Sequence, residues 1–304
     1  MIVSIHGQTG YSIRRICSTL ALPRSSYYHA ASPTQRQLSD RELGEQIEEI
    51  FWEHRRRYGY RRIHEELLDR DTRCCPIRVR RLMKERGLRA IQPKQFVPQT
   101  NDGRADKPSD NLLEGHPLPK APNTVFAGDI TYIRTESGWL YLAVVIDLCS
   151  RRVVGWALSE QMRADLVVRA LEQALASTPK MPGRIFHSDR GSQHESKVFR
   201  KLLKKAGMRQ SMSARANPYH NAWTESMIGT LKAEMVGEGT FEDELEAHTE
   251  LFAYLDSYYN TKRKHSALGY QTTAQFERAS NELAQEGGLD VGGQGGRALL
   301  PVAS

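Results

Sequence analysis

The chain has 304 residues, 39% of them hydrophobic, with a formal net charge of +7 and a pI near 9.2. That length is too great for one ordinary core and provides for two or three units. No apolar run approaches the roughly 18 residues of a membrane span. No signal-peptide core opens the chain, and cysteines 17, 74, 75 and 149 form no C-x-x-C pair. A membrane, secreted or disulfide-built protein is therefore not expected, and a reduced cytoplasmic one is.

Residues 10–30 read as two short helices, with Ile13, Ile16, Cys17 and Leu20 at helical spacing and Pro23 opening the second. A helix-turn-helix or a plain helical hairpin fits this pattern equally well. Residues 40–54 form an amphipathic helix on Leu43, Ile47, Ile50 and Phe51, and "YGYRRIHEELLDRD" and "CPIRVRRLMKERGL" give two more. Charge concentrates here. Between Arg55 and Lys94 stand 14 Lys/Arg against five acids, an excess of +9 that exceeds the charge of the whole chain. Such a local excess points to a polyanion, most often nucleic acid, and Arg61, Arg62, Arg78, Arg80, Arg81 and Lys84 are its candidate contacts. A solvated helix surface would alternate signs more evenly.

Residues 92–122 hold six of the 13 prolines, show no period and read as a linker. The texture then changes. "VFAGDITYIRT" alternates as a strand, "GWLYLAVVIDL" is the near-continuous apolar run of a central strand, and "RRVVGWAL" is a third. The tight connection at Ser150 and Arg151 makes these three antiparallel neighbours. A helix over 164–176, a strand "GRIFHS", a helix capped by Ser196 and ended by Gly207, a short strand "MRQSMS" and helices over 221–235 and 242–259 follow. The order βββαβαβα predicts an α/β mixed five-stranded sheet with helices on both faces. Six glycines in residues 281–304 mark a disordered tail.

Three acids stand out by position. Asp129 lies inside the first strand, Asp189 directly follows the fourth, and Glu225 sits on the helix after the fifth, with 35 residues between it and Asp189. At 100° per residue, Trp223, Met227, Ile228, Leu231 and Met235 share one side of that helix, and Glu225, Gly229 and Lys232 the other. Each acid alone has an ordinary reading: a turn cap, a turn residue, a surface helix residue. Three converging carboxylates would repel one another without a cation between them, and hard oxygen donors suit Mg²⁺ or Mn²⁺. Two such ions roughly 3.5–4 Å apart serve phosphodiester chemistry. Asp147 is a competing carboxylate whose neighbours Arg151 and Arg152 favour a salt bridge. His187, His194 and His220 lack cysteine partners and read as structural or DNA-contacting.

The stretches "DITYI" at 129–133, "IDLCSRRVVGW" at 146–156, "HSDRGSQ" at 187–193, "NPYHNAWTESMIGTLKAE" at 217–234 and "YNTKRKHSALGYQT" at 259–272 resemble the DDE transposases of bacterial insertion sequences. The similarity is to the OrfB-type branch, whose catalytic core is similar to that of retroviral integrases. "YGYRRIHEEL" resembles the helical DNA-binding segment that precedes that core. The resemblance spans roughly 10–280. It implies a ribonuclease-H-like fold with Asp129, Asp189 and Glu225 as catalytic metal ligands, for two Mg²⁺ or Mn²⁺ ions. It also implies that Lys232, a basic residue seven positions after Glu225, contacts transposon-end DNA, with Arg190 as a further candidate. The chain departs from the family at His220, where Asp is common, and at Lys264 and Thr273, where Pro is common; none is a carried catalytic position.

The expected organisation is a helix-turn-helix-like segment over 1–35, a basic helical DNA-binding domain over 36–95, a Pro-rich linker over 96–122, the integrase catalytic core over 123–240, a helical extension over 241–280 and the tail over 281–304. The resemblance implies cleavage at the element's 3′ ends and strand transfer into target DNA. Expected partners are terminal inverted repeats, target DNA, further copies of the chain and an upstream helix-turn-helix protein supplied as a frameshift fusion, in a nucleoid-associated cytoplasmic setting. The alternatives are a non-catalytic DNA-binding regulator, an inactivated copy and a cellular nuclease of the same fold. A tyrosine recombinase finds only a faint echo in "YYNTKRKH", and the sheet-rich core speaks against it.

Overall fold

The structure is a computed structural model that describes residues 2–24, 34–92, 109–213, 222–235 and 240–289. The chain divides into two compact units, residues 1–90 and 91–304.

The first unit is helical. It opens with α1 (Ile2–Thr9), which the periodicity does not announce, and α2 (Ile13–Thr19), whose N-cap Ser12 accepts the Arg15 N–H. The helix expected after Pro23 lies mostly outside the described residues. Then come α3 (Gln35–Glu53), α4 (Tyr60–Asp69) and α5 (Pro76–Glu85). Thr34 and Gln37 start α3 with a reciprocal capping box, and Pro76 occupies the first turn of α5, where its missing N–H costs nothing. Leu43, Ile47, Ile50 and Phe51 of α3 meet Ile63, Leu67, Val79, Leu82 and Met83 in a buried core. Part of the positive charge is used internally. Asp40 accepts from Arg78 Nε at 2.7 Å and from Arg81 Nη2 at 2.6 Å. Arg86 pairs with Glu48, and Arg70 with Glu49 and Glu53.

The second unit is a five-stranded sheet in the order β3-β2-β1-β4-β5. Its strands are β1 (Val125–Thr135), β2 (Gly138–Asp147), β3 (Val153–Ser159), β4 (Ile185–Ser188) and β5 (Arg209–Met212). The first three pair antiparallel, and β4 and β5 add parallel strands on the other side of β1. The expected mixed sheet is therefore present. On one face, α6 (Ala164–Ser177) and α8 (Lys197–Lys205) pack over Phe126, Val145, Val154 and Phe186. Gly155 is what lets α6 approach β3. A Cβ there would stand 2.2 Å from the Ala170 carbonyl and 2.7 Å from the Ala174 nitrogen. On the other face, α9 (Ala222–Met235) and α10 (Glu244–Phe252) cover Ala127, Ile133, Leu142 and Val144. A short α7 (Ser192–Glu195) leads into α8.

Three expectations are revised. Residues 109–122 are not a free linker, since Leu112 N–H donates to Ser211 Oγ at 2.9 Å and Ser109 Oγ donates to Gln210 Oε1 at 3.2 Å, both on β5. The helix expected over 242–259 ends at Phe252 and continues as a π-helical turn, Ala253–Tyr259. The last helix, α11 (Thr273–Leu289), enters the glycine-rich stretch read as disordered. The residues at 282–286, ELAQE, are good helix formers, and 290–304 lie outside the described residues.

The "YNTKRKH" stretch is a clasp. Asn260 exchanges two hydrogen bonds with the Val153 backbone at 2.9 Å each, and Thr273 Oγ1 donates to the Asn260 carbonyl at 2.6 Å. Beside it, Ser150 Oγ and Arg152 Nη1 donate to Glu277 at 2.8 and 3.1 Å. Asp147 is not the ion pair expected with Arg151 and Arg152. It is fully buried and accepts the backbone N–H groups of Asn123, Cys149 and Ser150. It therefore satisfies the turn after β2, where an ion pair would leave those donors orphaned.

Candidate active site

Strand register places the first two acids. The parallel pairing of β1 with β4 ends at Gly128 opposite Ser188. The next residue on each strand is an acid, Asp129 on β1 and Asp189 after β4, so both emerge at the same level of the sheet. Helix α9 packs on β1 and carries Glu225 in its first turn and Lys232 in its last. Its buried side is Thr224, Met227, Ile228, Leu231 and Glu234, which leaves Glu225 and Lys232 only partly covered.

The three acids lie close enough to perturb one another. Burial first, then the charges of Asp189 and Glu225, push the Asp129 carboxyl up to about 8. The Ile130 N–H at 2.7 Å and Lys232 oppose that rise without cancelling it. Glu225 is raised by burial and by Asp189. Burial also opposes charge on Asp189, yet His194, the Gly191 N–H and His187 outweigh it and hold that carboxyl below its usual value. Asp189 remains 53% exposed, with His194 Nδ1 3.3 Å from its Oδ1 on a ring that is itself buried. The Lys232 ammonium is lowered by burial and partly restored by Asp129. Its Nζ lies 4.7 Å from the centroid of the Tyr132 ring.

Among the described residues, no three His, Cys, Asp or Glu side chains are gathered tightly enough to hold a metal ion as they stand. The donor chemistry nonetheless fits a hard dication. A carboxyl that must shed a proton near pH 8 beside two other acids is one that a cation would stabilise.

Asp129 gives a pH signature. Its folded value near 8 stands above its ordinary 3.8, so the fold favours the protonated form. Stability is fully present below about pH 4 and is lost as the pH rises towards 8. Without divalent metal, the urea midpoint should fall between about pH 5 and 8, and Asp129→Asn should flatten that fall and raise the midpoint at pH 8. After discounting for partial exposure we expect roughly 2 kcal/mol. An unchanged pH slope in the variant would rule this out.

The candidate DNA contacts fall into three groups. Arg61 and Arg80 are exposed and lie over Tyr60, with guanidinium carbons 5.4 and 5.8 Å from the ring centroid, and Lys84 is exposed at the end of α5. Arg62 lies over Tyr58, while Arg78 and Arg81 are engaged by Asp40. In the second unit, Arg190 Nε donates to the Ser213 carbonyl at 2.9 Å. His194 had no role at the acids in the sequence reading. The available signal was its place five residues after Asp189, across one tight turn.

Comparison with known proteins agrees with this architecture. The family model described as Integrase core domain matches residues 119–218, a second of the same description matches 206–272, and an HTH-like domain matches 37–96. The catalytic core domain of HTLV-2 integrase, solved in complex with magnesium, aligns with a TM-score of 0.40 and 16% identity over 52% of this chain and 97% of that one. An integrase-type core with a helix-turn-helix-like domain ahead of it defines a class of DNA-recombining enzyme. Within that class the chain is 40% identical to the transposase of insertion sequence IS904 from Lactococcus lactis, across 81% of this chain and 97% of the relative. It is 36% identical to transposase InsF of IS3A from Escherichia coli, over 89% and 95%, and to a 31 kDa protein of IS600 from Shigella sonnei, over 88% and 100%. The chain belongs to the family of insertion-sequence transposases. Among the described residues, no helix is long and apolar enough to cross a membrane.

Proposed function

We propose that this transposase cuts the 3′ ends of its element and joins them to target DNA, with Asp129, Asp189 and Glu225 as the catalytic acids. The observation that carries this reading is the register: the last parallel pair of β1 and β4 is followed on each strand by an acid, and α9 brings a third that raises Asp129 and is itself raised by Asp189. The two steps balance simply. Water attacks a phosphorus, the bond to the 3′ oxygen breaks, and the 3′-OH so freed attacks a target phosphodiester while another 3′ oxygen leaves. The three carboxylates would hold Mg²⁺ or Mn²⁺, which when bound activates the attacking oxygen and stabilises the leaving one. His194 and the Gly191 N–H keep Asp189 ionised and oriented, and Lys232 offers a cation to the DNA end. The test is strand transfer from a labelled element end with Mg²⁺ and with chelator. Joined products with Mg²⁺ alone support the reading, and products in chelator, or none even with an upstream fusion partner added, overturn it.

The α4–α5 helices would hold the terminal repeats through Arg61, Arg80 and Lys84, with Arg62, Arg78 and Arg81 in supporting positions, and Arg190, next to Asp189 in the second unit, would contact DNA at the acids. The active assembly would be a multimer that pairs two ends in the cytoplasm. Three phosphate contacts predict a roughly 40-fold loss of affinity between 50 and 200 mM salt, and Lys84→Ala should lower the log–log slope by about one. Fluorescence anisotropy across a salt series measures both, and an affinity flat in salt would remove the helices from DNA binding.

A further inference from the structure

The catalytic reading leaves unexplained two large rings on the β1–β2 hairpin. Tyr132 is 55% exposed and Trp139 53%. Their ring centroids are 5.5 Å apart at an interplanar angle of 87°. Both lie at the uncovered end of the sheet: β4 accompanies β1 only to Gly128, and from Asp129 to Arg134 that side of β1 has no strand partner among the described residues. Each ring has a cation beside it. Lys232 Nζ approaches Tyr132, and the exposed Arg134 is the cross-strand partner of Trp139.

Exposed aromatic faces flanked by cations are the means by which proteins hold single-stranded nucleic acid: bases stack on the rings and phosphates meet the charges. A paired base hides its faces within the helix stack, so only an unpaired one can use such a surface. Strand rise sets the scale. Tyr132 is three residues from Asp129, about 10 Å along β1, or about three base steps of 3.4 Å. By alternation its ring leaves the opposite face of the sheet from Asp129, and Lys232, close to both, comes over the free edge between them.

We infer that Tyr132 and Trp139 form a stacking platform for an unpaired base a few nucleotides from the reacting phosphate, with Lys232 and Arg134 on the adjoining backbone. This rests on the strand-transfer reading and extends it: the site takes a frayed end, not a fully paired one.

The test uses the full-length chain and two probes of one sequence, a fully paired duplex and the same duplex with a short unpaired 3′ arm carrying 2-aminopurine. The wild type should bind the forked probe about tenfold more tightly and quench its fluorescence. Trp139→Ala and Tyr132→Ala should abolish both the preference and the quenching while leaving paired-duplex affinity within about twofold. Trp139→Phe, which keeps a ring, should retain the preference. No fork preference in the wild type, an undiminished one in the alanine variants, or equal loss on both probes would overturn the platform. So would a change confined to oligomeric state, which would make the rings a contact between copies. Mg²⁺-dependent joining by the wild type, scored on the same probes, tests the catalytic reading separately: a fork preference without joining would count against that reading, and joining without a fork preference against the platform alone.

Discussion

Asp189→Asn should lose strand transfer by about a thousandfold or more, a rise of at least about 4 kcal/mol in the barrier, while its affinity for the terminal repeat stays within about twofold. The asymmetry follows from where the residues lie. The exposed Arg61, Arg80 and Lys84 belong to the helical unit, and Asp189 follows β4 in the other. An amide keeps the size of the carboxyl and its acceptor for the Gly191 N–H, so folding should survive. It removes the negative charge that Asp129 and Glu225 both feel. Two further results are required if the acids work as a unit. Asp129→Asn and Glu225→Gln should be equally inactive, and a double variant should be little worse than either single one, because residues that serve one centre are not additive. Asp147→Asn is the informative contrast. That carboxylate is buried and satisfies three backbone N–H groups, so its variant should lower the melting temperature and leave activity per folded molecule intact. Measured on one labelled DNA end, full activity of Asp189→Asn would remove it from the site.

The sequence carried the sheet well because the signals were local. Alternation marks β1, an apolar run marks β2, and Ser196 and Gly207 bracket α8. The acids were legible because Asp129 breaks a strand pattern and Asp189 ends one, and side chains at the ends of parallel strands emerge at one level. The hidden features depend on pairings between distant residues. Arg78 reads as a free cation until Asp40, 38 residues earlier, is folded against it. Asp147 reads as an ion pair because Arg151 and Arg152 are adjacent, while its true partners are backbone groups that a sequence does not display. Gly155 is one letter of a strand pattern until α6 is laid across it. The proline count at 92–122 was real, but it says nothing of the hydrogen bonds that tie Ser109 and Leu112 to β5.

The ion pair between Glu234 and Arg263 should be the costliest to break of those among the described residues of the second unit. Arg263 Nε and Nη2 donate to both carboxylate oxygens at 2.7–3.1 Å, and the two side chains are only 6% and 5% exposed. Tyr254 adds its hydroxyl to Glu234 Oε2 at 2.8 Å. Burial works against charge on Arg263, yet Glu234 raises the guanidinium above its ordinary value, and burial together with Glu234 raises the Tyr254 phenol far above its own. The buried guanidinium is therefore held charged chiefly by Glu234. Arg263→Met removes the bidentate cationic partner of a buried carboxylate and should cost about 3–5 kcal/mol, lowering the melting temperature of this unit by roughly 10 °C. Glu234→Leu should do comparable harm by stranding the guanidinium. The double variant should recover much of the loss, since removing both charges also removes their desolvation. The consequence reaches the active site through α9, because Glu234 lies nine residues after Glu225 and two after Lys232 on one helix. Loss of the pair loosens the C-terminal half of that helix, so Arg263→Met should lose activity below its melting point and the double variant should regain it. Calorimetry of the three variants decides: single variants that melt within about 1 °C of the wild type would show that α9 is held by its apolar side alone.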